Sequence, residues 1–317
     1  MRLPPIKMIP AFRYGEMTPW GGSGLRAWGK NIPDPRTGES LEVSVLPGLE
    51  SRDEQGATLP QLLERYGADL RGTQVSEEFP LLLKLISAQE QLSVQVHPGD
   101  DYARAHENGR PGKSEAWVIL SAEPDAEIIY GVREGVSREV LACACELGGE
   151  AIRDCLNRVK VRAGEVYLIP SGMIHAIGGG ITLMEIQQSS DITYRFYDWD
   201  RVGASGKGRP LHIKKGLDVT DVGLHLSAIA GRTREIPGGR STALVSGPMF
   251  TVERWDVSGV MPLGATPEHF RLLLALGELE IAHEGGCLRL AAGDSVFLPA
   301  NMVDAELRGP GGALVCW

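Results

Sequence analysis

The phrase Gly164-Glu165-Val166-Tyr167-Leu168-Ile169-Pro170 returns later in the chain as Gly293-Asp294-Ser295-Val296-Phe297-Leu298-Pro299. Each copy is a glycine-acid turn, an apolar run long enough for one strand, and a proline that ends it. A supersecondary unit used twice leaves few architectures open, because both copies must bury the same kind of sheet face. Two tandem β-sandwiches are the simplest solution. The seam is expected in the polar, glycine-rich stretch 231–239, with the boundary near residue 230. Residues 1–230 then form the larger unit, with an N-terminal extension and helical insertions, and residues 231–317 the smaller one. Forty glycines and short β-branched runs separated by turn residues read as mostly β. Helices are expected after Thr58 up to Gly67, from Asp100 to Asn108-Gly109, after Ser137 through Val140, Leu141 and Ala144, and briefly after Pro210.

The first copy carries chemistry that the second lacks. Side chains alternate faces along a strand, so Gln95 and His97 share one face and Val94 and Val96 the other. Glu115 opens the apolar run 116–120, where a lone carboxylate is costly to bury without a cation. His175 follows the strand 166–169 and the turn Pro170-Ser171-Gly172, which sets a residue at the rim of a barrel. Two imidazoles, a carboxylate and an amide are the donor set of an open, catalytic metal site. In the second copy Asp304 stands where His175 stands, and the nearest comparable run is Leu279-Glu280-Ile281-Ala282-His283. That half is expected to keep the fold without the metal.

Composition excludes some partners. The formal net charge is −9, and phosphate backbones and anionic lipid surfaces require basic stripes, so neither nucleic acid nor membrane is expected. Five cysteines without framework spacing point to reduced thiols and a cytoplasmic protein. Cys143 and Cys145 would face different sides of a helix and make a poor metal pair. The start of the chain has no apolar signal core, and no run is long enough to span a bilayer.

The segment Gly164…Pro170-Ser171-Gly172…His175 resembles the second motif of the cupins, double-stranded β-helix sandwiches of the jelly-roll kind. More narrowly, the chain is similar to the type I mannose-6-phosphate isomerases in their short bacterial form. The blocks that carry this are Trp20-Gly21-Gly22, residues 38–44, Pro80-Leu81-Leu82-Leu83-Lys84, residues 92–98 around Gln95-Val96-His97-Pro98, Gly112-Lys113-Ser114-Glu115, residues 169–176, and residues 185–191 leading into Tyr194-Arg195. The resemblance implies a mainly β fold of two cupin-like jelly-roll sandwiches with a few inserted helices. It also implies one divalent metal per chain, zinc, with Gln95, His97, Glu115 and His175 in the ligand positions. The activity implied is interconversion of mannose 6-phosphate and fructose 6-phosphate, with a small phosphosugar as partner. Larger members carry a helical domain that this chain is too short to hold, which leaves monomer or small homo-oligomer open.

Such an isomerisation moves a proton between C1 and C2 through an enediol. It needs a base, a polarised carbonyl and a grip on the remote phosphate. Arg195 is the expected clamp, since a guanidinium presents a fixed fork to oxyanions; its other use would be an ion pair with Asp191 or Asp198. Lys84 and Arg201 are further expected phosphate contacts, and Trp20, Glu42 and Ser93 match family positions lining the pocket. The base stays open between two residues. Lys113 could share the face of Glu115, where a metal would lower its pKa, and burial of Glu185 in the run 181–186 could raise a carboxyl into the working range. Two rival readings use the same donors: a cupin metal oxygenase, and a non-catalytic sugar-phosphate-binding module. Metal content with oxygen consumption tests the first, and a turnover assay the second.

Overall fold

The computed structural model describes residues 1–203 and 206–317. Antiparallel sheets dominate it. One sheet places its six strands in the order Ala11–Tyr14, Thr37–Val43, Leu81–Ala88, Ile181–Gln188, Glu115–Ala122, Val166–Ile169. The later half repeats that order with Arg232–Ile236, Gly239–Ser246, Thr251–Val257, Gly311–Cys316, Arg271–Ala275 and Ser295–Leu298. The strand Ile6–Met8 then adds to Ser295–Leu298 as a seventh. The facing sheets correspond too. Val94–Val96, His175–Ile177, Glu127–Val132 and Leu156–Lys160 are matched by Val260–Leu263, Ala305–Arg308, Leu279–His283 and Gly286–Leu290, with Tyr194–Tyr197 extending the first.

The repeated phrase is thus one strand of a duplicated sandwich, and the shared turn has a physical cause. Gly164 and Gly293 adopt φ of +92° and +89°, a region that L side chains rarely enter. Topology also corrects one correspondence: the counterpart of Val94–Val96 is Val260–Leu263, not the run 279–283, which matches Glu127–Val132. The stretch 231–239 is not a linker either. It folds as the hairpin of Arg232–Ile236 and Gly239–Ser246, turning at Pro237-Gly238, with Arg232, Arg234 and Glu235 on an exposed edge strand. Charges on such an edge discourage pairing with another chain.

Period-two alternation sorts the core into layers. Leu83, Leu85, Met184 and Ile186 face outward from the first sheet and pack with Leu272, Leu274 and Phe297 of the second, joining the halves. Ile86, Trp117, Ile119 and Leu183 face inward against Ile128, Tyr130 and Ile177. The helices cover the remaining face, where Val94, Val96 and Tyr194 meet Ala103, Leu141 and Ile152. All four expected helices form, at Leu59–Tyr66, Asp100–His106, Arg138–Leu147 and Ile213–Val219. Thr58 and Gln61 cap the first reciprocally, and Ser137 caps the third. Gly149–Cys155 is a helix that periodicity did not announce. No helix among the described residues is long and apolar enough to cross a membrane.

Candidate metal centre and substrate cleft

Val94 and Val96 are buried toward the helices, which turns Gln95 into the sandwich. Register places Gln95 beside His175 on one neighbouring strand and beside Arg195 on the other. Glu115 lies beside Gln187 and Ile169. Before His175, the turn relies on Gly172 at φ +88°. Three distant segments therefore meet. His97 Nε2 lies 3.5 Å from Glu115 Oε2, and His175 Nε2 lies 3.2 Å from Glu115 Oε1. The three ligand atoms fall within 4.8 Å of one another, and all three residues are buried.

Their bonding state suits a cation. His97 Nδ1 donates to the carbonyl of Ile192 and His175 Nδ1 to that of Met173, each at 2.8 Å. A carbonyl can only accept, so the proton sits on Nδ1 and the Nε2 lone pairs face the centre. Burial, and then the charge of Lys113, holds His97 well below its ordinary value, while burial pushes His175 down to about 4; both imidazoles stay neutral. Neither carboxylate oxygen of Glu115 receives a hydrogen bond. The Lys113 ammonium lies 3.1 Å from Oε2, an ion-pair contact without hydrogen-bond geometry. Burial, and then Glu185, pushes Glu115 up to about 7. A buried carboxylate without donors beside two imidazole lone pairs fits a divalent cation of borderline softness. Gln95 Nε2 lies 3.4 Å from His175 Nε2, and a half-turn of its amide brings the oxygen to that place.

Beside the centre, and joined to it through Gln95 and Lys113, lies a polar cleft. Trp20, Lys84, Ser93, Gln95, Lys113, Glu185 and Arg195, each singled out in the sequence, line it together. Lys113 Nζ lies 3.2 Å from His97 Nε2, so this residue bridges cleft and ligand set. Lys84 donates to Glu185 Oε1 at 3.0 Å, and Trp117 Nε1 to Glu185 Oε2 at 2.9 Å. This overturns the expected rise at Glu185. Burial does push it up, but Lys84 and Lys113 outweigh burial and hold the carboxyl at about 2. Arg195 donates from Nε to Ser93 Oγ at 3.1 Å and from Nη1 to the carbonyl of Pro210 at 3.0 Å. The alternative partners are engaged elsewhere, Asp191 by Arg13 and Asp198 by Arg209 and Arg201.

Two expected cleft residues lie elsewhere. Glu42 is fully buried against the second half, paired with Lys30 at 2.7 Å and accepting from Ser40 Oγ and Ser295 Oγ. Its strand mate Glu39 faces the cleft instead. An odd offset along a strand puts the two on opposite faces, but only the register says which face is inward. Arg201 is taken up by Asp198, Glu90 and the carbonyl of Gln91. Arg13, Asp191 and Arg209 line the cleft without having been foreseen. Tyr194-Arg195 pointed to this wall, but nothing in the sequence ranked Arg209 above Arg201.

A family profile described as phosphomannose isomerase type I, catalytic domain, matches residues 39–125. Another, described as mannose-6-phosphate isomerase, cupin domain, matches residues 240–316. The chain is 37% identical over 294 residues to the mannose-6-phosphate isomerase ManA of Bacillus subtilis, covering 92% of each. The crystal structure of a mannose 6-phosphate isomerase from Bacillus subtilis superposes with a TM-score of 0.90 at 33% identity, covering 99% of this chain and 100% of that one. A zinc-bound holo mannose 6-phosphate isomerase shares the fold at a TM-score of 0.80 and 16% identity, covering 99% of each chain.

Proposed function

Because the chain belongs to the type I mannose-6-phosphate isomerases, we infer that it is a metal-dependent aldose–ketose isomerase converting mannose 6-phosphate to fructose 6-phosphate and back. The observation that carries this reading is the buried His97–Glu115–His175 cluster, with open donors, joined through Gln95 and Lys113 to a cleft that Lys84 and Arg195 also line. His97, Glu115 and His175, joined by the Gln95 amide, would hold one divalent ion, zinc in our reading. When bound, that ion supplies Lewis-acid polarisation of the sugar's carbonyl and hydroxyl oxygens.

The chain's own residues do the rest. Lys113 is the proposed proton carrier at C1 and C2, since its amine reaches both the ligand set and the cleft. Glu185 has both oxygens engaged by Lys84 and Trp117, and its proposed role is to aim Lys84. Arg195, oriented by Ser93, faces the phosphate and the charge that develops on oxygen. Trp20 lines the cleft, and its ring leaves Gly38 no space for a side chain.

We further propose the division near residue 230, with the metal confined to the earlier part. Support comes from the absence, among the described residues, of a second cluster of His, Cys, Asp and Glu. Cytoplasmic location is proposed on five unbridged cysteines, and a monomer or small homo-oligomer on the resemblance alone. A coupled isomerase assay on mannose 6-phosphate, with and without chelator, tests the whole reading. Turnover abolished by chelator and restored by zinc is expected; full activity in protein shown to be metal-free overturns it.

A further inference from the structure

Positive charge is unevenly balanced around the cleft. On the six-stranded sheet, Lys84 meets Glu185 at 3.0 Å and Glu39 at 3.9 Å, and Arg13 meets Asp191 at 2.9 Å and Glu39 at 3.3 Å. Each cation there has carboxylates of its own. Where the five-stranded sheet borders the cleft, Arg195 and Arg209, with Arg201 outside the lining, have one buried carboxylate between the three, Asp198, plus the exposed Glu90 at 3.4 Å from Arg201. Asp198 grips Arg209 through two bonds, Nε to Oδ2 at 2.7 Å and Nη2 to Oδ1 at 2.6 Å, and takes Arg201 Nη1 at 3.1 Å. Among the described residues Arg195 has no carboxylate partner and Nη1 of Arg209 no acceptor. The two guanidiniums line the same cleft, and the carbonyl of Pro210, next in sequence to Arg209, accepts from Arg195. Like charges held this close in a partly desolvated wall repel unless an anion lies between them.

We propose that Arg209 is a substrate-binding residue which, with Arg195, grips the phosphate dianion of the sugar, and that Asp198 is the positioning residue that fixes its fork. The proposal rests on the isomerase reading and refines it. It orients the sugar, with the phosphate at the Arg195–Arg209 wall and C1 and C2 toward Lys113 and the metal ligands.

The test pairs kinetics on mannose 6-phosphate with calorimetric titration of inorganic phosphate into the metal-loaded protein. Losing a charge-assisted fork in Arg209→Gln should raise KM about ten- to a hundredfold and weaken phosphate binding by a similar factor, with kcat changed less than about threefold. Arg209→Lys keeps the charge but not the fork and should fall between. Asp198→Asn should raise KM with metal content intact. Unaltered phosphate affinity in Arg209→Gln, or a fall in kcat at constant KM, overturns the proposal. Should Arg209→Gln lose its metal and its thermal transition, Arg209→Lys decides, and an affinity equal to the parent's then counts against the assignment. Phosphate titration needs no turnover. A protein that binds phosphate through Arg209 yet leaves mannose 6-phosphate unconverted would sink the isomerase reading alone.

Discussion

At the scale of single residues, the ligand cluster and the cationic wall should separate cleanly under substitution. His97→Ala and His175→Ala each remove a lone pair whose orientation a backbone carbonyl fixes, so metal and activity should vanish together by elemental analysis and assay. Arg195→Ala should leave one metal per chain while turnover falls by about two to four orders of magnitude, the range for losing an oriented charged stabiliser. Unchanged kinetics would remove Arg195 from the site. Glu115 makes a further prediction through its proton. In metal-free protein its folded value is raised to about 7 from an ordinary 4.5, so the folded state holds a proton that the unfolded chain releases. That contribution is complete below the unfolded value and is lost as pH rises through the folded one. The two ligand imidazoles, held below their ordinary value, act the other way up to about pH 6.5, so the carboxyl is read as a difference: Tm of chelator-treated protein relative to chelator-treated Glu115→Gln should fall from about pH 5 to about pH 8, and zinc should flatten that slope by holding the carboxylate ionised. A difference that climbs over this range would contradict the raised carboxyl of Glu115.

Among elements, the repeated turn offers an internal comparison. Gly164 and Gly293 share a left-handed φ, yet a Cβ on Gly164 meets nothing within 4 Å, whereas one on Gly293 would lie 2.1 Å from the carbonyl oxygen of Trp28. Gly164→Ala should cost about 1–2 kcal/mol, the backbone term alone. Gly293→Ala should cost clearly more, because a backbone carbonyl must move as well. Denaturant midpoints for the pair would check this, and equal losses would mean that the second turn relaxes freely. The same duplication explains why one copy lacks the centre. Strand register pairs Glu115 with Ile169 in the first sandwich and Arg271 with Leu298 in the second, so a guanidinium stands where the ligand carboxylate would be. Asp304, opposite His175 in the repeat, pairs with Arg2.

For the molecule as a whole, the halves are joined by an apolar layer and by one buried polar knot, in which Glu42 accepts from Lys30, Ser40 and Ser295. Glu42→Ala strands a buried ammonium and should destabilise by about 3–5 kcal/mol while metal content stays at one per chain. Asp304→Ala should leave both metal content and turnover unchanged; elemental analysis showing a second metal, lost in that variant, would contradict a structural second half. Much of this was legible beforehand, because short-range rules govern it. Strand period put Gln95 and His97 on one face, the cost of burying a lone carboxylate marked Glu115, cap and turn residues marked four helices, and the glycine-to-proline phrase announced the duplication. What sequence could not decide depends on register and on distant charges. Glu39 and Glu42 are equally plausible until pairing with Leu81–Ala88 turns one inward and the other onto Ser295. Burial alone would have raised Glu185, and only the approach of Lys84 from a strand about a hundred residues earlier reverses it. Likewise Arg201 and Arg209 look alike in the chain. Their positions relative to Asp198 and Glu90 decide which lines the cleft, because an ion pair depends on distance in space and leaves no trace in spacing along the chain.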